Sequence, residues 1–184
     1  MGMNSPHDWT IEAFDKDRTP SQAQLEATVD LFQRTIPVFD DINIQENPAM
    51  VLKRGDPDAL RRLLETRTLL LACDTRENVA GLLEWDARDR ETVMIAFISW
   101  LMVDPRMQGQ GISTLLHKDF EQQRVPQLAE TTDISILQGL GVHMKNPATG
   151  IYRKWGYSES GFPQYNDGRM LFMAKDAPYA PTKE

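Results

Sequence analysis

Two glycines close the segment RMQGQG, residues 106–111, which lies between an apolar run and a helical pattern. The apolar run, Thr92–Val103, predicts a strand buried on both faces, and from Ile112 apolar residues recur at helical spacing. Gly109 and Gly111 therefore stand where a strand gives way to a helix N-terminus. Such a terminus presents unbonded backbone N–H groups and roughly half a unit of positive charge. This chemistry predicts a phosphate site, although a plain strand-to-helix turn can carry the same two glycines.

The bulk composition fits one globular domain and argues against several classes of function. The chain has 184 residues, of which 41% are hydrophobic, and its net charge of −7 disfavours a basic nucleic-acid-binding face. A single cysteine, Cys73, rules out a disulfide within the chain, and the histidines show no metal-ligand spacing. No apolar stretch reaches the roughly 18 residues of a membrane span. We expect a cytoplasmic protein that binds no nucleic acid, no membrane and no metal.

The elements that must position the glycine segment follow a mixed order of strands and helices. In chain order we predict strand Trp9–Asp15, a helix from Pro20 to about Thr35, an irregular segment Ile36–Gly55, a helix from Asp56 to about Glu65, strands Thr68–Asp74, Val79–Ala87 and Thr92–Val103, a helix from Gly111 to about Arg124, strand Asp133–Val142, a short helix from Asn146 to Trp155, and closing strands Tyr157–Phe162 and Arg169–Ala174. Residues 1–176 are expected to form one domain, and residues 177–184 a disordered tail.

Two motifs in this order resemble the GNAT superfamily of acyl-coenzyme A N-acyltransferases. The segment Arg106-x-x-Gly109-x-Gly111 matches the family's pyrophosphate motif, Gln/Arg-x-x-Gly-x-Gly/Ala. Further along, Asn146 followed by Tyr152-x-x-x-Gly-Tyr157 is similar to the second signature, Asn…Tyr-x-x-x-Gly-Phe/Tyr. The likeness extends over residues 68–174, whereas residues 1–67 match in element order only.

The resemblance implies an α+β fold consisting of a single GNAT-like domain. Its mixed, mostly antiparallel sheet is expected to have about six to seven strands, splayed at its centre and flanked by about four helices. The splay would lie between strands Thr92–Val103 and Asp133–Val142 and would admit the pantetheine arm of acetyl-CoA. Gly139 and Gly141 fit such an opening, and they also fit an ordinary bulge.

By resemblance, acetyl-CoA is the co-substrate, and its site is carried over residue by residue. The cofactor-binding residues are Leu101, Met102, Val103, Arg106, Gln108, Gly109, Gln110, Gly111, Ile112, Ser113, Thr114, Asn146 and Tyr152. Leu101 and Val103 supply backbone partners for pantetheine, and an N–H near Leu101 or Met102 supplies the oxyanion contact. Gln108 departs from the pattern, because an arginine is common before the first glycine.

Tyr152 is expected to act as the general acid. Collapse of the tetrahedral intermediate expels a thiolate; a thiol has a pKa near 8.5 and a phenol one near 10, so at neutral pH the phenol can protonate or hydrogen-bond the departing sulfur. Tyr152 could instead be a half-buried helix tyrosine. Asn146 is expected to hydrogen-bond pantetheine or a water, or only to cap the helix.

The general base is less well specified. Glu84 and Asp86 lie two apart on a predicted strand and so share one face, where either could take the amine's proton. A solvated strand end would look the same. Asp40 and Asp41, among apolar residues of Ile36–Gly55, could receive a cationic amine or form a solvated loop.

These interpretations indicate an N-acetyltransferase (EC 2.3.1.-) that moves acetyl from acetyl-CoA to a primary amine. The acceptor is expected to be a small molecule, with direct transfer in a ternary complex. Two alternatives stay open: a degenerate acetyl-CoA-binding sensor or docking module, and an acetyltransferase for protein lysines or N-termini. The acceptor's identity and the acyl length are not specified, and a homodimer is compatible with the family.

Overall fold

The computed structural model describes residues 9–40, 58, 62, 67–160 and 170–176. Its strands are β1 (Thr10–Phe14), β2 (Thr68–Cys73), β3 (Val79–Asp89), β4 (Val93–Val103), β5 (Ser135–His143), β6 (Ser158–Glu159) and β7 (Met170–Asp176). Its helices are α1 (Gln22–Asp40), α2 (Ile112–Asp119), α3 (Val125–Ala129) and α4 (Thr149–Lys154), with a 3₁₀ turn at Pro105–Met107 and a π-helical turn at Phe120–Arg124. The strands form one seven-stranded sheet in the order β1-β2-β3-β4-β5-β7-β6. This architecture confirms the predicted mixed α+β fold.

The sheet is antiparallel where β1 pairs with β2, β5 with β7 and β6 with β7. Strands β4 and β5 run parallel, in a register from Val93↔Ser135 to Ile98↔Leu140. Both strands continue past this register, β4 to Val103 and β5 to His143. The predicted splay concerns those later residues.

The chain divides into two compact units, each with its own apolar cluster. The first contains the residues up to Glu84 and Trp100–Phe120, and the second contains Trp85–Ser99 and the residues from Glu121 onward. Buried members of the first cluster include Phe14, Leu25, Val29, Phe32, Leu69, Leu71 and Met102. The second cluster is built from Ile95, Phe97, Phe172 and Ala174.

Helix α1 is longer than predicted, because it continues past Pro37 to Asp40. A proline removes one helical hydrogen bond, but the buried stripe of Leu25, Val29 and Phe32 already holds the preceding turns. The prediction of irregular chain from Ile36 is therefore wrong up to residue 40. The rest of that segment lies outside the described residues. Of the predicted helix 56–65, only residues 58 and 62 are described, and both are helical.

The helix after the glycine loop also passes its predicted end. It turns π-helical at Phe120–Arg124 and resumes as α3, with Pro126 in the first turn. Proline is tolerated there because an N–H in the first turn has no helical acceptor, and the π-helical turn shifts the hydrogen bonds that precede it. The helix end predicted at about Arg124 is wrong for this reason.

Strand β5 runs unbroken through both of its glycines. Gly139 pairs with Phe97 on one side and with Ala174 on the other, so it forms no bulge. A side-chain carbon on Gly139 would lie 2.8 Å from Phe172 Cζ and 3.0 Å from Ile95 Cγ2. Glycine at this position therefore makes room for an aromatic ring.

Candidate functional site

The loop between β4 and α2 adopts the backbone that a phosphate-binding turn needs. Gly109 has φ +80° and Gly111 has φ +79°, a left-handed conformation that other residues rarely adopt. No atom lies within 4 Å of the place where a side chain would start on either glycine. The two glycines are therefore required by backbone conformation, and the space above them is open.

Gly111 is the N-cap of α2, and no side chain caps this helix terminus. The first helical hydrogen bond there runs from Leu115 N to Gly111 O at 3.0 Å. The N–H groups of Ile112, Ser113 and Thr114 precede it and point out of the helix end, where the helix dipole is positive. The predicted phosphate donors thus share one terminus.

A buried aspartate, which the sequence analysis did not single out, organises the start of this loop. Asp104 is 2% exposed and accepts hydrogen bonds from Arg106 N, Nε and Nη2 at 2.9, 3.0 and 2.7 Å. Arg34 of α1 forms an ion pair with it at 3.2 Å. The hydrogen bonds from Arg106 and the charges of both arginines hold the pKa of Asp104 below its usual 3.8. The Arg106 side chain, 70% exposed, is thereby held at the loop.

The N-terminus of α2 lies close against strand β3 at Gly81. A side-chain carbon on Gly81 would lie 2.9 Å from both Ile112 Cγ2 and Met102 O. Ile112 and Leu116 of α2 are fully buried. A glycine on β3 therefore sets how closely the phosphate-site helix approaches the sheet.

The last part of β4 is less buried than predicted. Ser99, Trp100, Leu101 and Val103 are only partly buried, whereas Met102 belongs to the apolar core. The prediction of a strand buried on both faces holds for Ile95–Ile98 only. The two residues predicted to pair with pantetheine, Leu101 and Val103, thus remain partly accessible.

Tyr152 lies in α4 and is 8% exposed. Its ring makes edge contacts with the rings of Trp155 and Tyr157, at centroid distances of 5.8 and 6.3 Å. Burial raises the pKa of the Tyr152 hydroxyl to about 12. The phenol is therefore protonated at neutral pH, which is the state that a general acid requires.

Asn146 lies two residues before the N-cap of α4, which is Ala148. The Asn146 Oδ1 accepts a hydrogen bond from Ala148 N at 2.9 Å, and its carbonyl accepts one from Thr149 N at 3.1 Å. The asparagine thus forms an Asx turn that leads into the helix. The prediction that it caps the helix is wrong in this respect.

The far end of α4 follows the second signature as predicted. Trp155 is the C-cap, and Gly156 has φ +90°, the left-handed turn that commonly ends helices. Tyr157 N then donates to Tyr152 O at 3.1 Å, and the Tyr157 hydroxyl donates to Gln138 Oε1 at 3.1 Å. The second tyrosine therefore ties the helix end to β5.

Both candidate bases are held in ion pairs with arginines. Glu84 is 3% exposed, and Arg67 Nη1 lies 2.6 Å from its Oε1. The Asp86 carboxylate accepts from Arg88 Nε at 3.1 and 3.2 Å and remains partly exposed. The Arg88 guanidinium lies 3.5 Å over the Phe97 ring. These arginine partners have no signal in the sequence motifs.

The remaining predictions concern two aspartates of the segment Ile36–Gly55, metal binding and membrane spans. The Asp40 side chain and all of Asp41 lie outside the described residues. Within the described part of the chain, no three histidine, cysteine, aspartate or glutamate residues are grouped as a metal site would need. In the same part, no helix combines the length and hydropathy of a bilayer-spanning segment.

Comparison with known proteins agrees with this fold. A family model for the acetyltransferase (GNAT) domain matches residues 38–176. No curated protein matches the chain. The PaiA N-acetyltransferase from Thermoplasma acidophilum, in complex with coenzyme A, aligns with a TM-score of 0.64 and 16% identity, over 91% of this chain and 99% of that one.

Two further solved structures share the fold. The ribosomal-protein-S5-alanine acetyltransferase from Vibrio fischeri aligns with a TM-score of 0.65 and 10% identity, over 93% of this chain and 94% of that one. An aminoglycoside 6'-acetyltransferase of type Ii aligns with a TM-score of 0.62 and 19% identity, over 94% of this chain and 99% of that one. The family model spans well over half of the sequence, so the chain belongs to the GNAT acetyltransferase family and is an acyltransferase.

Proposed function

We propose that the enzyme transfers an acetyl group from acetyl-CoA directly to a primary amine of a small molecule, within a ternary complex. The glycine loop carries this proposal: it has two left-handed glycines with open space above them and an uncapped helix N-terminus. The backbone N–H groups of Gln108–Ile112, including those of Gly109, Gln110 and Gly111, surround the pyrophosphate. Ser113 and Thr114 add hydroxyl donors, and Arg106 adds positive charge at the loop.

The pantetheine arm pairs with the end of β4. Leu101 and Val103 are only partly buried and lie beyond the β4–β5 register, which ends at Ile98, and this supports the role because an added strand pairs through backbone N–H and C=O groups. The N–H of Leu101 or Met102 then donates to the thioester oxygen as it becomes an oxyanion. Asn146 contributes a further polar contact to pantetheine or to a bound water.

Tyr152 protonates the leaving group. The amine nitrogen forms a bond to the acetyl carbon, the carbon–sulfur bond breaks, and the phenol gives its proton to the departing thiolate. A pKa raised to about 12 by burial keeps the phenol protonated through neutral pH. The phenol is a weaker acid than the thiol that forms, so Tyr152 first donates a hydrogen bond to the sulfur as negative charge develops there, and proton transfer is completed when the phenolate regains a proton from solvent.

The proton lost by the amine goes to a carboxylate, directly or through water. Of the two candidates, Asp86 fits better, because its side chain is 18% exposed, whereas that of Glu84 is 4% exposed and faces Arg67. Asp40 and Asp41 are proposed to attract the cationic amine before it loses its proton.

The solved relatives leave the acceptor class open to experiment. One is named for ribosomal-protein alanine acetylation and another for aminoglycoside acetylation. Purified enzyme is therefore given acetyl-CoA with small amines, aminoglycosides and peptides, and the released thiol is measured. Turnover of small amines supports the proposal, and turnover confined to peptides contradicts the small-molecule acceptor.

Replacing Tyr152 with Phe tests the acid directly. We expect kcat to fall by about 10²–10⁴-fold, the usual contribution of general acid catalysis. The ring contacts with Trp155 and Tyr157 are kept, so the calorimetric affinity for coenzyme A stays close to the original value. An unchanged kcat removes Tyr152 from the mechanism.

A further inference from the structure

A partly buried lysine on β7 contacts the helix that carries Tyr152. Lys175 has a side chain that is 12% exposed, and its Nζ donates to the carbonyl of Trp155 at 2.9 Å. Trp155 is the C-cap of α4, so this carbonyl belongs to the helix end that has no intrahelical donor. The lysine also places its positive charge at the negative end of the helix dipole.

The same ammonium group makes two more contacts around that helix end. It forms an ion pair with Glu121 of the π-helical turn at 2.5 Å. It also lies 4.9 Å from the centre of the Tyr157 ring, within cation–π range. The Lys175 Cδ lies 3.8 Å from the position that a Cβ atom would occupy on Gly156, so the aliphatic part of the lysine side chain runs along the left-handed turn.

These contacts hold the two rings against which Tyr152 packs. Trp155 is fixed through its carbonyl and Tyr157 through its ring face, and both rings touch that of Tyr152 by their edges. A buried side chain enclosed in this way keeps one rotamer, and its hydroxyl keeps one position. A misplacement of about 1 Å at a reacting group can cost on the order of 100-fold in rate.

We propose that Lys175, anchored by Glu121, is a positioning residue that fixes the end of α4 and so aims the Tyr152 hydroxyl at the leaving sulfur. This inference rests on the proposed role of Tyr152 as general acid. Lys175 touches no substrate and exchanges no proton in the reaction. Its effect on the rate is exerted through the rings of Trp155 and Tyr157.

The test is a double-mutant cycle that combines Lys175→Met with Tyr152→Phe. Methionine keeps most of the stem volume and removes the charge and the donor. We expect Lys175→Met to lower kcat by about tenfold while leaving the dissociation constant of coenzyme A unchanged. In the Tyr152→Phe background the same change should have no further effect on kcat, because no hydroxyl remains to be aimed.

Three companion variants separate positioning from general loss of structure. Lys175→Arg keeps a cation and donors and should recover most of the activity. Glu121→Gln removes only the anchor and should lower kcat less than Lys175→Met does. Lys154→Met, an exposed lysine of the same helix, is the matched control and should leave kcat and melting temperature unchanged.

The result that overturns the proposal is a kcat for Lys175→Met equal to that of the starting enzyme. Equal fold-losses in both backgrounds also overturn it, since independent effects multiply. If Lys175→Met has no cooperative thermal transition, the same cycle with Glu121→Gln decides. Failure of the proposed function is seen separately, as unchanged kcat in Tyr152→Phe or as absence of coenzyme A binding by the starting enzyme.

Discussion

Individual glycines of this chain are required for two different physical reasons. Gly109 and Gly111 are needed for positive φ angles, with open space beside them. Gly81 and Gly139 have ordinary φ angles but face neighbouring atoms at 2.9 and 2.8 Å. Gly150, within α4, has neither constraint. The loop glycines, like Gly156 at the end of α4, are therefore required by backbone conformation, whereas Gly81 and Gly139 are required by close neighbours.

Alanine substitutions separate these reasons. Gly109→Ala and Gly111→Ala should each lower the free energy of unfolding by about 1–2 kcal/mol, because a left-handed φ strains any residue with a Cβ atom. Gly150→Ala is the control, since a helical position without close neighbours should gain about 0.5–1 kcal/mol. Urea unfolding measures all three. Equal stability of Gly111→Ala and Gly150→Ala would contradict the described loop backbone.

Among single residues, sequence analysis predicted those of the two motifs but not the residues that hold them in place. Gly109, Gly111, Gly156 and Tyr152 stand at fixed spacings, which a single chain displays. Asp104 could be read only as the residue that ends a strand. Its contact with Arg34 joins residues far apart in sequence, and no local pattern encodes such a contact. The same holds for Lys175 and Glu121.

Among the elements, the loop from β4 to α2 depends on a carboxylate that is buried at its start. Asp104 N-caps the 3₁₀ turn, and its own N–H donates to Ala80 O at 2.8 Å. Its side chain accepts from Arg106 and pairs with Arg34. The aspartate thereby connects α1, β3 and the glycine loop within one unit.

Asp104→Asn should therefore lower the free energy of unfolding by about 1–3 kcal/mol at neutral pH, the range for hydrogen bonds to a charged group. The folded-state pKa is depressed below 3.8, so the stabilisation is fully present above 3.8 and is lost as the pH falls from there through the lower folded-state pKa. The difference in the free energy of unfolding between Asp104→Asn and the parent protein should narrow below about pH 4.

Urea unfolding between neutral and acid pH provides the measurement. Asp30→Asn is the matched control, because Asp30 also pairs with Arg34 but its side chain is 63% exposed. Exposed ion pairs contribute about 0–1 kcal/mol, so this variant should change little. A constant difference between Asp104→Asn and the parent down to the lowest pH would refute the role of the ionised carboxylate.

Elements were predicted well where apolar periodicity is strong and poorly where proline is the signal. The strands of the sheet and the helix after the glycines follow from period-2 and helical patterns. The helix ends predicted at about Thr35 and about Arg124 are wrong. Burial of the turns before Pro37 outweighs one missing hydrogen bond, and Pro126 lies in a first turn where an N–H has no helical acceptor. The partial burial of β4 beyond Ile98 also depends on neighbouring elements, which the sequence of the strand does not specify.

For the whole molecule, the only cysteine of the sequence lies deep in the first unit. Cys73 is 1% exposed, and burial, assisted by the charge of Glu12, raises its pKa to about 12. The thiolate is the reactive form, so the native thiol should be inert at neutral pH.

We expect a disulfide-exchange reagent to label native protein no faster than the chain unfolds, and to label it rapidly in guanidinium chloride. The unfolded sample controls for reagent quality and reports one thiol per chain. Rapid labelling of the native protein would contradict burial of β2. An inert Cys73 also means that thiol release in the transfer assay reports coenzyme A alone.

The glycine loop is proposed to bind the pyrophosphate of an acyl-coenzyme A, and calorimetric titration with coenzyme A is the decisive experiment. The starting enzyme should bind with one-to-one stoichiometry. Gly111→Ala should bind about tenfold more weakly or worse, a loss of about 1.4 kcal/mol, because a shifted φ turns N–H groups away from the anion. Gly150→Ala should bind like the parent. Absence of binding by the parent, or equal affinity for Gly111→Ala, would refute binding of the pyrophosphate by the glycine loop.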